Sequence, residues 1–299
     1  MSQARRGRVV AHFGREWAIE DEGGELVLAY PLARCRELPC VGDWVQWEPS
    51  DSEHGRILAV LPRKTLLTRP GRGGNLRPVA ANVDQVLVVL APEPAYDLLL
   101  VDQYLVVCEN RKIDACLVFN KLDLIPEEHR SMLLEGDLAP YRSLYPILLL
   151  SAKTGEGIKA LRAALKGKVS MFAGQSGVGK SSLLKTLVPN QTIRIGALSA
   201  SRRRGRHTTT SARLFHLPEG GDLIDTPGVM LFGLAGIDPP QLAFGYREFQ
   251  RFIPHCRFAD CRHASDAGCA VREAAEKGWI SASRYQRYLK LLEKLPQIS

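Results

Sequence analysis

Short apolar blocks broken by Gly, Pro and acidic turns fill the chain up to about residue 235, and a longer, helix-like spacing takes over after it. Within residues 1–68 the runs Arg8-Val9-Val10-Ala11-His12-Phe13, Glu25-Leu26-Val27-Leu28-Ala29-Tyr30, Asp43-Trp44-Val45-Gln46-Trp47 and Arg56-Ile57-Leu58-Ala59-Val60-Leu61 predict a small barrel of short strands. Residues 69–80, rich in Gly, Pro and Arg, read as a linker, mobile without a partner. Over 81–235, apolar runs such as Ala115-Cys116-Leu117-Val118-Phe119 and Val169-Ser170-Met171-Phe172-Ala173 alternate with helix-like stretches at 98–112 and 157–165, as in a doubly wound α/β domain. Residues 236–299 read as mainly helical, with helix-like stretches at 241–252 and 281–295 on either side of a Cys- and His-rich segment.

One apolar run ends in Gly174-Gln175-Ser176-Gly177-Val178-Gly179-Lys180-Ser181, and helix-like residues beginning at Ser182 follow. Strand, loop and helix are the context that a phosphate loop requires. Its glycines let successive backbone N–H groups face the phosphates, Lys180 brings a cation to the β and γ oxygens, and Ser181 offers a hydroxyl to Mg²⁺. Alone, this motif indicates a nucleotide and leaves the base open.

The base is addressed by Asn120-Lys121-Leu122-Asp123 and Ser151-Ala152-Lys153, each after an apolar run, where ligands of open α/β sheets bind. A carboxylate at Asp123 can accept from guanine N1–H and the N2 amino group together. Adenine presents an acceptor at N1 and leaves that carboxylate unpaired, which costs several kcal/mol if it is buried. Either motif alone could be a polar turn after a strand; their conjunction with the phosphate loop points to GTP. Asn120 and Lys121 are expected to brace the loops and lie along the base.

Asp225-Thr226-Pro227-Gly228 comes last, with Asp225 expected to hold Mg²⁺ through water and the Gly228 N–H to sense the γ-phosphate. Val229 follows, where many GTPases carry a water-orienting glutamine. Between lies Ser201-Arg202-Arg203-Arg204-Gly205-Arg206-His207-Thr208-Thr209-Thr210, read as a first switch, with Thr209 completing the Mg²⁺ shell. His207 is the candidate catalytic residue that positions water, alongside Lys180; a histidine facing solvent or RNA is the alternative. The guanine motifs precede the phosphate loop, so the motif order is that of a circularly permuted GTPase.

Cys256, Cys261, His263 and Cys269 form C-x₄-C-x-H-x₅-C, four N/S ligands fit to close around one structural Zn²⁺. The metal would supply local folding energy of order 10 kcal/mol, by analogy with zinc-finger peptides. His255 is a competing ligand, while Cys35, Cys40, Cys108 and Cys116 read as reduced core residues.

The net charge is +8, and its distribution is more informative than its size. Residues 151–235 hold 13 basic and 4 acidic residues, against 5 and 11 over 81–150. Such an excess beside the phosphate loop suggests a polyanion such as rRNA. Phe13, Trp17, Trp44 and Trp47 could stack on bases, though most are expected in the barrel core. Arg284, Arg287, Lys290 and Lys294 mark the last helix as an RNA-facing or solvated one. No leader-like or membrane-spanning apolar run is present, so a cytoplasmic protein with no membrane partner is expected, as a monomer. The seven cysteines, an odd number, agree with a reducing compartment.

The permuted order, Gly205-Arg206-His207-Thr208-Thr209-Thr210, the apolar Val229 and the cysteine cluster together resemble the ribosome small-subunit-dependent GTPase A family (RsgA, also called YjeQ or EngC) over nearly the whole chain. The resemblance implies an N-terminal OB-fold (1–68), a linker (69–80), a circularly permuted P-loop GTPase domain (81–235) and a C-terminal zinc-binding domain (236–299). It also implies late action on the small (30S) ribosomal subunit, weak hydrolysis of GTP to GDP that the subunit stimulates, and a catalytic role for His207. The rival readings are an rRNA-binding scaffold that keeps GTP as a structural ligand, and a GTPase for another RNA. Only the short stretch 229–236 separates the second switch from the zinc segment, so γ-phosphate loss is expected to be felt there directly.

Overall fold

The computed structural model describes residues 4–33, 35–51, 54–71, 75–189, 212–226 and 234–295. His207, Thr209, Gly228 and Val229, and the run Arg202, Arg203 and Arg204, lie outside the described residues. The strands are β1 (Arg5–Phe13), β2 (Glu16–Asp21), β3 (Leu26–Pro31), β4 (Trp44–Pro49), β5 (His54–Val60), β6 (Leu66–Pro70), β7 (Leu76–Ala81), β8 (Gln85–Leu90), β9 (Asp114–Phe119), β10 (Ile147–Leu149), β11 (Val169–Ala173), β12 (Arg213–His216) and β13 (Asp222–Asp225). The helices are α1 (Leu98–Arg111), α2 (Arg130–Glu135), α3 (Ile158–Leu165), α4 (Lys180–Leu187), α5 (Pro239–Phe244), α6 (Ala270–Glu276) and α7 (Ala282–Lys294). They form two compact units, one of Met1–Gln85, Lys159–Phe172 and Lys180–Met230, the other of Val86–Ile158, Ala173–Gly179 and Leu231–Ser299. Among the described residues no helix is long and apolar enough to cross a membrane.

In the first unit, β1 pairs antiparallel with both β2 and β4, β2 with β3, β3 runs parallel to β5, and β5 returns to β4. This closes a five-stranded barrel of OB type. A shift of register between Val9 and Ala11 bends β1, and Ala11 then pairs with Arg213 of β12. Beyond it β12 runs antiparallel to β13, and β13 parallel to β11, so barrel and α/β strands share one sheet. Trp17 and Trp47 are core residues at 5% and 2% exposure, which removes them as stacking candidates. Trp44 is half-buried under the Arg6 guanidinium, 4.2 Å from its ring centroid, and Phe13 under Arg213 at 5.8 Å.

The stretch read as a linker contributes instead to an antiparallel hairpin, β6 with β7, in which Arg69 lies opposite Arg77. Its Gly and Pro content misled because a two-stranded ladder has free edges on both sides, where proline is tolerated.

His216 fastens the barrel to the β12–β13 hairpin. Nδ1 lies 2.6 Å from Asp222 and Nε2 2.7 Å from Glu20 on β2, and Arg8 of β1 pairs with the same Asp222. The hydrogen bonds to Asp222 and Glu20 raise the imidazole to about 10. Burial works against the Asp222 carboxylate, yet His216 and Arg8 hold it below the usual range.

In the second unit the strand order is β10-β9-β8, with β8 buried along its whole length, as expected for a strand covered on both faces. Helix α1 starts at Asp97, whose side chain accepts from the Leu99 N–H, and stops at Lys112 in the left-handed region. The helix expected over 241–252 ends at Phe244. A Cβ at Gly245 would lie 2.7 Å from the Val106 side chain of α1, so the chain passes close there and continues as a short 3₁₀ turn, Arg247–Phe249. Val106 joins Leu242, Tyr246, Phe249, Tyr288 and Leu291 in one core.

At its centre Asp102 of α1, with no exposed side-chain surface, meets Arg284 Nη1 at 2.6 Å and Arg287 Nε at 2.7 Å. Tyr141 donates to the same carboxylate at 2.6 Å, and Arg284 also pairs with Glu248. The expectation that Arg284 and Arg287 face RNA or solvent is therefore corrected: Arg284 is 1% exposed and Arg287 is 13% exposed in its side chain. The two guanidinium groups balance two carboxylates, which is what allows their burial.

Two outcomes are expected. Replacing Arg284 by Ala leaves Asp102 and Glu248 short of a partner in the interior and should cost about 3–5 kcal/mol of stability, measured by denaturant unfolding. Because His216 carries a raised value in the folded chain against 6.5 unfolded, its stabilisation is complete below pH 6.5 and disappears as pH climbs through about 10. Thermal unfolding of the His216→Gln variant should lack that alkaline decline.

Candidate nucleotide site and metal centre

Strand β9 delivers Asn120 to the carboxyl edge of its sheet, where the Asn120 N–H donates to the Leu90 carbonyl at 2.8 Å. The side chain, 1% exposed, uses both ends. Nδ2 donates to the Val178 carbonyl at 2.9 Å, and Oδ1 accepts from the Ala152 N–H at 3.0 Å. One amide thus ties together the loops after β9 and β10 and the phosphate loop. Lys121 takes a left-handed backbone with φ 60° and donates through Nζ to the Glu93 carbonyl at 2.7 Å. Leu122 is buried, and its N–H donates to the Leu150 carbonyl at 3.1 Å; it anchors the motif by packing.

Asp123 accepts from the Ser151 hydroxyl at 2.5 Å, and Lys153 Nζ lies 3.8 Å from its second oxygen. The Ser151 hydrogen bond, followed by the charges of Lys153 and Lys121, holds this carboxyl below the usual range. Ser151 in turn accepts from the Thr154 N–H at 3.2 Å. An ionised carboxylate fixed in this way can accept from two adjacent donors on one base edge, the pattern that guanine presents.

The phosphate loop is shaped by close approaches. At Gly174 φ is +134° and a Cβ would sit 2.3 Å from the Val89 carbonyl oxygen; at Gly179 φ is +96° and a Cβ would sit 2.3 Å from Asn120 Nδ2. Val178 is fully buried, Gln175 is partly buried, and Ser176, Gly177, Ser181 and Ser182 are exposed. Tyr104 hydrogen-bonds the Gly174 backbone, and the Gln175 side chain accepts from the Asp97 N–H at 3.3 Å. Neither Tyr104 nor Asp97 was singled out from sequence; the only signal available was Asp97 as a cap ahead of an apolar helix. Helix α4 begins at Lys180, so the N–H groups of its first turn lack helical partners and suit an anion.

In the first unit, burial depresses the Lys180 ammonium while Asp225 pulls it the other way. Burial also raises the Asp225 carboxyl, opposed by Lys180 and by Arg213, a cation that sequence reasoning missed. Groups so desolvated gain most from a phosphate oxygen beside the lysine and a divalent ion beside the aspartate. Thr226 is buried next to them.

Cys256, Cys261, His263 and Cys269 bring one donor atom each within 4.8 Å of one another. Both Cys256 Sγ and Cys269 Sγ lie 3.5 Å from His263 Nδ1. A tetrahedron with bonds of about 2.3 Å has edges near 3.7 Å, so the set fits a single small metal ion. The left-handed turn at His263, φ 59°, aims the ring inward, Tyr285 donates to its carbonyl at 2.7 Å, and the competing His255 is exposed and outside the cluster.

The RsgA GTPase family profile matches residues 60–235. The chain is 46% identical over 295 residues to the small ribosomal subunit biogenesis GTPase RsgA of Chromohalobacter salexigens, covering 97% of this chain and 86% of that one. The protein of the same name from Azotobacter vinelandii is 45% identical, with 98% and 86% covered. Among solved structures, YjeQ from Thermotoga maritima superposes with a TM-score of 0.76 at 37% identity over 98% of this chain and 99% of that one. YloQ, described as a circularly permuted GTPase, shares the fold with a TM-score of 0.74 at 24% identity, over 99% of this chain and 97% of that one.

Gly179→Ala tests the clamp. The added methyl meets Asn120 at a backbone conformation that alanine resists, a strain of about 1–3 kcal/mol. Affinity for a fluorescent guanine nucleotide should fall about tenfold or more, read by titration.

Proposed function

The chain belongs to the RsgA GTPase family, and we propose that it binds the small (30S) ribosomal subunit, assists its late maturation, and leaves when the subunit stimulates GTP hydrolysis. The observation that carries this reading is 46% identity, over 97% of the chain, to a protein named for small-subunit biogenesis. The basic excess over residues 151–235 supports rRNA as the surface engaged.

Each site residue has a chemical role in this reading. Asp123 accepts from the guanine edge while Ser151 and Lys153 keep it ionised, Asn120 holds the loops, Lys121 lies along the base and the Ala152 loop closes over it. Backbone N–H groups of Gly174, Gln175, Ser176, Gly177, Val178, Gly179 and Lys180, with those of Ser181 and Ser182, face the phosphates. Lys180 offsets charge developing on the β and γ oxygens. Mg²⁺ would be held by Ser181 and Thr209, with Asp225 acting through water, and would supply neutralisation of charge on the phosphates. Gly228 senses the γ-phosphate, and His207 orients the attacking water in place of the side chain that Val229 lacks. Zn²⁺ is the ion proposed for the Cys256, Cys261, His263 and Cys269 set, since three thiolates and an imidazole in a closed site suit it.

The test is phosphate release from GTP under single-turnover conditions with small subunits, large subunits or unrelated RNA. Acceleration by small subunits alone is expected; equal, slow release in every case would favour a scaffold that holds GTP without turning it over. His207→Ala should lower the stimulated rate by about a hundredfold while leaving nucleotide affinity intact. Chelation of the metal should release one zinc per chain, found by elemental analysis, and melt the C-terminal segment ahead of the rest of the protein.

A further inference from the structure

Most large apolar side chains of the metal-bearing segment are covered, but Trp279 is 59% exposed. Its position is not loose. The Trp279 and Ile280 N–H groups both donate to the Ala274 carbonyl, at 2.9 and 3.2 Å, and Ile280 is fully buried directly after it. Gly278, with φ +74°, turns the chain between α6 and α7 so that the indole is delivered outward. The ring lies nearly parallel to Phe252, at 10° with centroids 6.1 Å apart.

Two cations frame the pair. Lys277 Nζ is 5.0 Å from the indole centroid, and the Arg251 guanidinium is 4.6 Å from the Phe252 centroid while donating to the Trp279 carbonyl at 3.3 Å. Arg251 and Lys277 are themselves exposed. A fixed, solvent-facing aromatic flanked by Arg251 and by Lys277, which also pairs with Glu273 at 2.5 Å, suits a flat π-surface with negative charge beside it, which is the chemistry of an unpaired nucleotide. A protein groove would instead bury the indole against apolar walls, and Arg251, held by the Trp279 carbonyl and the Phe252 ring, would then lose its water without a counter-charge.

We propose that Trp279, backed by Phe252, is a stacking platform for an unpaired RNA base, with Arg251 and Lys277 meeting the adjoining phosphates. The proposal rests on the small-subunit reading above and assigns one RNA-facing surface within it. That surface is on the loop between α6 and α7, whereas the arginines of α7 that the sequence offered for this task are locked in the interior.

The test uses the full zinc-loaded chain. Binding to a short single-stranded RNA is followed by anisotropy, and binding to small subunits by co-sedimentation. Trp279→Ala should weaken both by about tenfold, Trp279→Phe should retain most of the affinity, and the Arg251→Ala, Lys277→Ala double variant should flatten the salt dependence. The emission that wild type has and Trp279→Phe lacks should be quenched on adding RNA, a readout that does not depend on how well the alanine variant folds. Unchanged affinities, together with unquenched emission, would overturn the proposal. So would a loss confined to whole subunits with naked RNA unaffected, since that pattern marks a ribosomal protein as the contact. Phosphate release that ignores small subunits would sink the subunit reading while leaving Trp279-dependent RNA binding intact, so the two failures are distinguishable.

Discussion

Both ends of the Asn120 side chain are committed to backbone groups, Val178 on one side and Ala152 on the other, and the nucleotide site depends on that geometry. A buried amide left half-paired would cost about 1–3 kcal/mol, so the two hydrogen bonds are strongly held and the loops they join cannot drift independently. Asp123 lies three residues further on, in the 3₁₀ turn that Leu122 anchors to Leu150. The Asp123 carboxylate is therefore placed by the same clamp that fixes the phosphate loop, and Gly179 has to be glycine because Asn120 stands where its side chain would be.

This clamp explains why the order of motifs along the chain carries little structural weight. The loops after β9, β10 and β11 are brought together by strand ends and by one side chain. The sequence shows them out of the usual order, yet each keeps its own strand before it. Motifs with a defined local context, such as the phosphate loop or Asn120-Lys121-Leu122-Asp123, were legible because their chemistry demands fixed residue types at fixed spacing. Tyr104 and Asp97 were not legible, since their contribution to the phosphate loop comes from packing α1 beside it and leaves no spacing signature. Arg213 was missed for a related reason: its effect on Asp225 exists only once β12 and β13 pair.

The barrel and the α/β pattern followed from alternation, while the errors cluster where charge or proline was read as exposure. Arg284 and Arg287 recur on one side of a helix in a basic, surface-like pattern, yet they turn inward because Asp102 and Glu248 await them across the core. Nothing local to residues 281–295 announces that. Asp102 lies 182 positions from Arg284, in the middle of an apolar helix. The hairpin of β6 and β7 shows the converse, prolines that disguise a strand on an unpaired edge. For the arginines the deciding interaction is long-range, and a reading by windows could not contain it; for the hairpin it is local, and composition concealed it.

Where the chain passes between its two compact units bears on how a nucleotide could act. Passage occurs after Gln85, Ile158, Phe172, Gly179 and Met230. Three of these five points fall in or beside the GTPase motifs: Phe172 comes two residues before Gly174, Gly179 precedes Lys180 directly, and Met230 comes two residues after Gly228. Asn120, Asp123 and Ser151 belong to one unit, together with the Cys- and His-rich segment that packs on α1 through Val106. Lys180 and Asp225 belong to the other, together with the barrel that His216 fastens to the β12–β13 hairpin. The permutation leaves Asp225-Thr226-Pro227-Gly228 as the last motif before the final crossing, and the segment with the Cys256, Cys261, His263 and Cys269 cluster is the next that the chain builds.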